Sequence, residues 1–326
     1  MTGGEEAGNA VPTQILGDSS RSIISHNDSP DVGFEASLNP YRGCEHGCSY
    51  CYARPMHEYL GYSAGLDFET RIVVKQNAPD LLREALSAGS WRPQPVALSG
   101  ATDPYQPLER KLTLTRRCLE VFSEFRNPVI VVTKNHLVTR DLDLLAKLAA
   151  LDLVAVNLSM NSLDVELSRK LEPRTSTPEA RLKAIHALSR VGIPVGVIVA
   201  PVIPGLTDHE IPQVLKAAAR AGASYADFIM LRLPHGVQTL FQDWLTKHVP
   251  DRAGKVLHRL ESVRGGRQSD ATFGRRMRGS GPFAQQVESL FRLWAQRTGL
   301  SLQGPALSTN HFRRIPKEQT DLFEAR

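Results

Sequence analysis

Residues 39–52 read NPYRGCEHGCSYCY and contain three of the four cysteines in a chain of 326 residues. Cys44, Cys48 and Cys51 follow a Cys-x3-Cys-x2-Cys spacing, whereas Cys118 stands alone. Disulfide frameworks distribute even numbers of cysteines through short secreted chains, so this clustering indicates a bound metal instead. A [4Fe–4S] cluster normally takes about four thiolates. Three thiolates from one loop would leave one iron free to bind a small molecule.

A structural zinc site is the main alternative for this loop, because His46 or His57 would supply a fourth ligand. Zinc ribbons and fingers usually combine two separated ligand pairs, not a triplet in one loop. Hydrophobic burial of cysteines explains no such spacing. Gly43 and Gly47 allow the backbone to wrap closely, so that amides approach the sulfurs. The spacing therefore favours an iron–sulfur cluster.

The composition excludes several classes of protein. Hydrophobic residues make up 41% and charged residues 22%, which is ordinary for a globular protein. No stretch approaches the roughly 18 apolar residues of a membrane helix, and MTGGEEAGNAVPTQ lacks the regions of a secretory signal. We therefore expect a cytoplasmic protein. The net charge of +5 is compatible with an anionic partner but does not require one.

Strands that alternate with helices predict six βα units between about residues 35 and 248 and hence a parallel sheet. One helix has clear boundaries, with Thr177 as its cap, Pro178 in the first turn and Gly192 at its end. In such folds ligands bind at the carboxyl ends of the strands. We predict a disordered segment (1–32), a barrel (33–248) and a mainly helical extension (249–326).

The extension contains an arginine-rich loop, residues 264–279, which reads RGGRQSDATFGRRMRG. Its five arginines and one aspartate suit nucleic-acid phosphate, and Phe273 would stack on a base. The same composition suits a loop that packs on the barrel. The sequence leaves both interpretations open.

The chain resembles the radical S-adenosylmethionine (radical SAM) enzymes, and more closely the branch that includes spore photoproduct lyase and "DNA repair photolyase-like" proteins. The cysteine loop carries the resemblance, together with other stretches between residues 39 and 231: SGATDPYQPLER, VVTKN, LSMNSLD, LEPRTSTPEARLKAI and GIPVGVIVAPVIPGLTD. The resemblance implies an α/β fold with a partial (βα)6 barrel of the TIM type. It also implies a [4Fe–4S] cluster, S-adenosylmethionine, and a one-electron reductant of the flavodoxin or ferredoxin type.

The implied chemistry begins at a cluster held by Cys44, Cys48 and Cys51. The amino and carboxylate groups of S-adenosylmethionine would chelate the open iron, and one electron from the reduced cluster would cleave its C5′–S bond to give methionine and a 5′-deoxyadenosyl radical. That radical would abstract hydrogen from a substrate that the sequence does not identify. One candidate substrate is a nucleic-acid lesion, on which the enzyme would act as a lyase. The alternative is a non-catalytic zinc- or iron–sulfur-stabilised protein that binds nucleic acid or transfers electrons.

By resemblance, Lys134 would pair with the methionine carboxylate and Ser159 would contact the ribose. Strand-end turns, surface lysines and surface ion pairs are the structural alternatives for these positions. The complete predicted set of cofactor contacts is Tyr50, Ser99, Gly100, Thr102, Lys134, Asn157, Ser159 and Arg174. The predicted substrate pocket comprises Asp103, Tyr105, Gln106 and Glu109.

The isolated Cys118 lies on a helical pattern and suits a small core residue. A hydrogen-donor role is the alternative, because spore photoproduct lyase uses a cysteine in that way. That enzyme's cysteine belongs near the second strand end, where this chain has Gly100 and Ala101. The departure argues against a strict lyase function and leaves the substrate open.

Overall fold

The computed structural model describes residues 12–316. Within them the strands are β1 (Gln14–Gly17), β2 (Ile24–His26), β3 (Ala36–Leu38), β4 (Tyr41–Arg42), β5 (Arg71–Val74), β6 (Val96–Leu98), β7 (Val129–Thr133), β8 (Val154–Ser159), β9 (Val195–Val202) and β10 (Tyr225–Met230). The helices are α1 (Asp67–Thr70), α2 (Ala78–Ser87), α3 (Glu109–Leu112), α4 (Leu114–Phe125), α5 (Leu142–Ala149), α6 (Val165–Leu171), α7 (Pro178–Arg190), α8 (Ile211–Ala221), α9 (Val237–His248), α10 (Pro250–Ser262) and α11 (Gly281–Thr298). Short 3₁₀ helices occupy Arg54–Leu60, His136–Asp141 and Asp208–Glu210.

The main sheet confirms the predicted alternation of strands and helices. Its order is β10-β9-β8-β7-β6-β3-β2, and the six strands from β3 to β10 in this order run parallel. Helices α2, α4, α5, α7 and α8 connect successive parallel strands, and α9 follows β10. The chain therefore forms the partial (βα)6 barrel, in which all six strands end on the same side. No helix in residues 12–316 is long and apolar enough to cross a membrane.

The hydrophobic pattern explains why these segments adopt their positions. Every residue of β8 is buried, as expected for a parallel strand covered on both faces. On α8 the buried side chains are Ile211, Val214, Leu215 and Ala218, which form one stripe facing the sheet. The hydroxyl of Thr177 accepts a hydrogen bond from the amide of Ala180 at 3.3 Å, which confirms the predicted cap of α7.

The prediction of a disordered segment over residues 1–32 is wrong for the part that the structure describes. Strand β2 pairs antiparallel with β3 and extends the main sheet. Strand β1 pairs in parallel with β5, which also pairs with β4, and the three form a second sheet. Both strands are short and partly exposed, so their composition lacks the periodicity that reveals a buried strand. Residues 1–11 lie outside the described residues.

Helices α10 and α11 confirm the mainly helical extension, and α11 packs against α8. Residues 299–316 follow without a helix. In this segment Ser301 forms a bridge with Tyr225, and its carbonyl accepts a hydrogen bond from the amide of Ala226 at 2.8 Å. The exact boundaries at residues 33, 248 and 249 stay predictions.

The arginine-rich loop packs on the edge of the barrel. The amide of Met230 on β10 donates to the carbonyl of Met277 at 2.8 Å. Arg264 is 1% exposed and donates to four main-chain carbonyls. These carbonyls belong to Arg275, Arg276, Met230 and Leu231. Three further arginines pair with carboxylates: Arg275 with Asp270, Arg276 with Asp31, and Arg278 with Asp227. Of the two interpretations of this loop, the structure therefore favours packing.

Candidate active site

A cavity of about 180 Å³ lies at the carboxyl ends of the parallel strands. The cysteine loop forms one wall, and residues at or after the ends of β6 to β10 form the others. Ten of the predicted site residues line this cavity: Cys44, Cys48, Tyr50, Cys51, Ser99, Gly100, Thr102, Asp103, Lys134 and Ser159. The strand-end rule thus located most of the candidate site.

The cysteine loop is held in place by main-chain hydrogen bonds. The amide of Cys44 donates to the carbonyl of Phe68 at 2.9 Å. Gly43, at φ 81°, precedes it, and a Cβ there would lie 2.8 Å from the same carbonyl, so the position requires glycine. Arg54 is buried and donates to the carbonyl of Cys48 at 2.9 Å. Protein contacts therefore hold the main chain of the loop at both Cys44 and Cys48.

The chemistry of the three thiols fits an iron–sulfur cluster. Burial raises the pKa of the Cys44 thiol to about 12, and Asp103 and Cys51 add to the shift. Burial and the carboxylate of Glu172 also raise the pKa of Cys48 well above its usual range. Thiols in such a place ionise when metal charge compensates them, since coordination deprotonates a thiol outright. Cysteine thiolates are the ligands that hold Fe–S clusters, and this loop supplies three of them.

A single zinc ion fits the described residues less well. No three His, Cys, Asp or Glu side chains within residues 12–316 are arranged to hold one metal ion. His46, a candidate fourth ligand, lies 3.4 Å from Asp103 through Nδ1 and 3.3 Å from Asn135 through Nε2. The other candidate, His57, contacts the carbonyl of Arg71 through Nε2 at 3.0 Å. Both imidazoles thus have other polar partners, although His46 lines the same cavity as the three cysteines.

Lys134 directly follows β7 and extends into the cavity. Its Nζ donates to Ser159 Oγ at 2.9 Å and to the carbonyl of Ala200 at 3.1 Å. It also lies 2.9 Å from Glu172 Oε1. Burial, with a smaller contribution from Arg181, lowers the pKa of Lys134 to about 8. The ammonium therefore remains the predominant form at neutral pH and provides a cation at the strand ends.

Glu172 connects Lys134 to the cysteine loop. Its fully buried carboxylate pairs with Arg181 and accepts a hydrogen bond from the hydroxyl of Tyr50. Arg181 is itself 1% exposed and donates to the carbonyl of Ser159 at 2.8 Å. Burial raises the pKa of Glu172, although Arg181 opposes the shift. One buried carboxylate thus joins two cations and the aromatic residue that precedes Cys51.

Thr102 and Gln106 brace the cysteine loop. Thr102 Oγ1 donates to the carbonyl of Gly43 at 2.6 Å. Gln106 Nε2 donates to Thr102 Oγ1 at 2.9 Å, and Gln106 Oε1 accepts from the amide of Glu45 at 2.9 Å. Gln106, a predicted substrate residue, is fully buried and does not line the cavity. Thr102 lines the cavity, but its hydroxyl is already committed to the loop.

Asp103 lines the cavity with its carboxylate largely occupied. Oδ1 accepts from Thr133 Oγ1 at 2.7 Å and from the amide of Tyr105 at 2.8 Å, and Oδ2 accepts from the amide of Lys134 at 2.8 Å. These bonds join the turn after β6 to the end of β7. These contacts agree with the alternative interpretation of Asp103, in which its carboxylate stabilises the turn at the end of the strand.

Tyr105 and Glu109, two predicted substrate residues, are fully buried and do not line the cavity. Tyr105 donates to Asp141 Oδ2 at 3.0 Å, and Glu109 accepts from Arg140 at 2.7 Å. Both residues follow the turn at Asp103, where the chain has already left the strand end and enters α3. A linear motif cannot show where such a turn redirects the chain.

Asn157 and Arg174 also lie outside the cavity lining, in contrast to their predicted contact with the cofactor. Asn157 lies on β8, where the hydroxyl of Tyr225 on β10 donates to the carbonyl of the preceding residue, Val156, at 3.2 Å. Arg174 pairs with Glu69 at 2.5 Å behind the cysteine loop. Cys118 is fully buried on α4 in the hydrophobic core, which agrees with its interpretation as a core residue.

Sequence reasoning missed three residues of this site. Arg232 follows β10 and lines the cavity, so the strand-end rule was sufficient to find it. Tyr52 follows Cys51 and is 40% exposed, with the Arg232 guanidinium 4.1 Å from its ring centroid. Arg181 lies on α7 and reaches the site only through the fold, and nothing in its local sequence indicates this role.

A family model described as "Radical SAM superfamily" matches residues 38–218, which is more than half of the chain. The chain belongs to the radical SAM superfamily. Members of this superfamily use a [4Fe–4S] cluster and S-adenosylmethionine.

Related sequences include proteins of bacteria, archaea and viruses. This radical SAM protein is 40% identical over 220 residues to an uncharacterized protein of Mycobacterium tuberculosis (strain ATCC 25618 / H37Rv), an alignment covering 67% of this chain and 65% of the relative. It is 33% identical over 178 residues to an uncharacterized protein of Methanocaldococcus jannaschii, covering 55% and 64%. It is 24% identical over 270 residues to a radical SAM Nalpha-GlyT isomerase of Pseudomonas phage M6, covering 80% and 52%. The chain thus spans less than two thirds of the relatives' own length.

Solved structures of spore photoproduct lyase share the fold of this radical SAM protein. The lyase complexed with a dinucleoside spore photoproduct has a TM-score of 0.64 and 18% identity, covering 88% of this chain and 81% of the lyase. A mutant lyase with bound AdoMet and the dinucleoside has a TM-score of 0.62 and 18% identity, covering 88% and 80%. At this identity the similarity establishes the fold alone.

Proposed function

We propose that Cys44, Cys48 and Cys51 ligate the [4Fe–4S] cluster and that S-adenosylmethionine binds in the same cavity. When bound, the two groups supply a 5′-deoxyadenosyl radical, which abstracts hydrogen from the substrate. The observation that carries the proposal is that the three thiols, Lys134 and Ser159 line one cavity at the carboxyl ends of parallel strands. A cytoplasmic location, where small protein reductants would be available, is part of the proposal.

The residues of this chain have distinct roles in the proposal. The Lys134 ammonium pairs with the methionine carboxylate, because it is a cation that lines the cavity beside Ser159 at the strand ends. The Ser159 hydroxyl, fixed against Lys134, meets the ribose. Ser99 and Gly100 offer main-chain groups to the amino end, since Gly100 lies at φ 114° with open space around it. Tyr50, Glu172 and Arg181 are positioning residues that fix Lys134.

The test of this function is an anaerobic assay of S-adenosylmethionine cleavage. Reconstituted protein should hold about four irons per chain and absorb near ~400 nm. With dithionite as reductant it should convert S-adenosylmethionine into methionine and 5′-deoxyadenosine, quantified by chromatography and mass spectrometry. A protein that binds one zinc and no iron, or that leaves S-adenosylmethionine intact, would contradict the proposal.

We further propose that the substrate is a nucleic-acid component. Tyr52 and Arg232 place a half-exposed aromatic ring and a guanidinium side by side at the cavity, a pair suited to a base and a phosphate. Arg232 forms no ion pair with a carboxylate in the described part of the chain. Spore photoproduct lyase, which has this fold, is complexed with a dinucleoside in its structure.

Replacing Tyr52 by alanine should therefore weaken binding of a fluorescein-labelled single-stranded oligonucleotide by about 1–3 kcal/mol, since stacking contributes this much per base. Fluorescence anisotropy on the reconstituted enzyme measures the change. The companion variant Arg232→Ala removes the guanidinium beside Tyr52. Its matched control for a general loss of positive charge is Arg267→Ala, because Arg267 lies on the arginine-rich loop outside the cavity. If neither cavity variant binds more weakly than wild type, the nucleic-acid substrate is excluded.

A further inference from the structure

A second groove lies on the outer face of the cysteine loop. Gly47 and Ser49 line this groove, whereas Cys48, between them, lines the cavity. The loop is therefore a wall one residue thick, with the candidate cluster ligand on one side and the protein surface on the other. We call this surface the lysine groove, because Lys170 and Lys247 also line it.

Both lysines of the groove are exposed. Lys170 belongs to the last turn of α6 and Lys247 to the last turn of α9. Within residues 12–316 neither ammonium forms an ion pair with a carboxylate, whereas Lys183 on α7 pairs with Glu179. Both lysines lower the pKa of the nearby His248, although its burial is the larger cause. Two uncompensated positive charges therefore lie close together beside the cysteine loop.

The acidic residues of the groove do not cancel these charges. Glu69 is neutralised twice, since Arg54 lies 3.3 Å and Arg174 lies 2.5 Å from its oxygens. Asp243 is the other carboxylate that lines the groove. Two free ammonium groups thus face one aspartate, and the groove keeps a positive potential.

An apolar centre lies between the charges. Leu66 lines the groove and is 54% exposed, and Leu240 lines it in a half-buried position. Trp244 is buried there, and its indole nitrogen donates to the carbonyl of Lys170 at 2.8 Å, which joins α6 to α9. A small apolar centre within a charged rim is typical of surfaces that bind another protein.

We propose that the lysine groove is the docking surface for a small acidic carrier protein that delivers one electron to the cluster. The proposal rests on the proposed function. In the transfer, the carrier is oxidised by one electron and the cluster is reduced by one, with no bond formed or broken. Electron transfer weakens steeply with distance, and here the groove is lined by Gly47 and Ser49, the two neighbours of Cys48 in the chain. Opposite charges would steer and orient the carrier before transfer.

The experiment is a stopped-flow measurement on the anaerobic, reconstituted enzyme. Reduced flavodoxin of net negative charge is the protein donor, dithionite is the small-molecule donor, and loss of cluster absorbance reports reduction. In the double variant Lys170→Glu/Lys247→Glu, the second-order rate constant with flavodoxin should fall about tenfold or more, and its salt dependence should flatten. Calorimetric Kd values for oxidised flavodoxin should rise in parallel. The rate with dithionite should change by less than about twofold.

Lys147→Glu on α5 is the matched control, because Lys147 is exposed and lies outside the groove. It should leave the flavodoxin rate within about twofold of wild type. Equal flavodoxin rates in the wild type and the double variant, or equal slowing in the control, would overturn the docking surface. The variant Lys170→Gln/Lys247→Gln, which should show an intermediate loss, replaces the double reversal if that variant loses iron. Failure of the wild type with dithionite would instead overturn the proposed function itself.

Discussion

Replacement of Cys48 by alanine is expected to abolish S-adenosylmethionine cleavage. In the proposed site Cys48 is the central thiol of the triplet, and its carbonyl is fixed by Arg54. Loss of one of three thiolates leaves a cluster with two protein ligands, and the iron should be lost on gel filtration. The expected readouts are an iron content well below the roughly four per chain of the wild type, no absorbance near ~400 nm and no 5′-deoxyadenosine.

Cys118→Ala is the matched control for this experiment. Cys118 is fully buried in the core on α4 and does not line the cavity. Its replacement removes one small buried group and should cost about 1 kcal/mol of stability while leaving iron content unchanged. Retention of cleavage activity by the Cys48 variant would refute the proposed ligand set. Loss of the cluster in both variants would show that thiol content, not position, determines iron binding.

The second large effect is expected from Glu172→Ala. The buried carboxylate of Glu172 pairs with Arg181 and Lys134, so its removal leaves two cations without a counter-charge. Breaking a buried pair in this way typically costs about 3–5 kcal/mol. Chemical denaturation of the wild type and the variant, both prepared without the cluster, measures the difference in free energy of unfolding.

Glu166→Ala gives the corresponding surface control. Glu166 lies on α6, is exposed, and pairs with the exposed Arg169 at 3.3 Å. Its loss should cost only about 0–1 kcal/mol, as for other surface ion pairs. If the Glu172 variant is no less stable than the Glu166 variant, the pairs of Glu172 with Lys134 and Arg181 do not stabilise the fold. The assignment of Glu172 as a positioning residue is then wrong.

The sequence was informative where chemistry depends on neighbours along the chain. The spacing of Cys44, Cys48 and Cys51 identified one loop, and the strand-end rule placed Lys134 and Ser159 at one cavity. The alternation of helices and strands likewise predicted the six parallel strands, because buried strands and amphipathic helices leave different apolar periods.

Sequence reasoning failed where a side chain is positioned by tertiary contacts. Glu109 belongs to a motif that looks functional, yet the turn at Asp103 carries it into the interior beside Arg140. Arg181 lies within the stretch LEPRTSTPEARLKAI, but only the fold of the turn before α7 and of α7 itself shows that its guanidinium pairs with Glu172. The strands β1 and β2 escaped prediction because their pairing partners, not their own composition, specify them.

The contacts on the outer strand β10 have a consequence for solubility. An unpaired edge strand presents its amides and carbonyls to any other chain and invites aggregation. Here the main chain of Met277 and of Ser301 bonds to residues of β10, and the Arg264 guanidinium occupies two of its neighbouring carbonyls. The non-helical segments of the C-terminal extension therefore cover the β10 edge of the main sheet. Removal of the extension is expected to expose this edge to pairing with other chains.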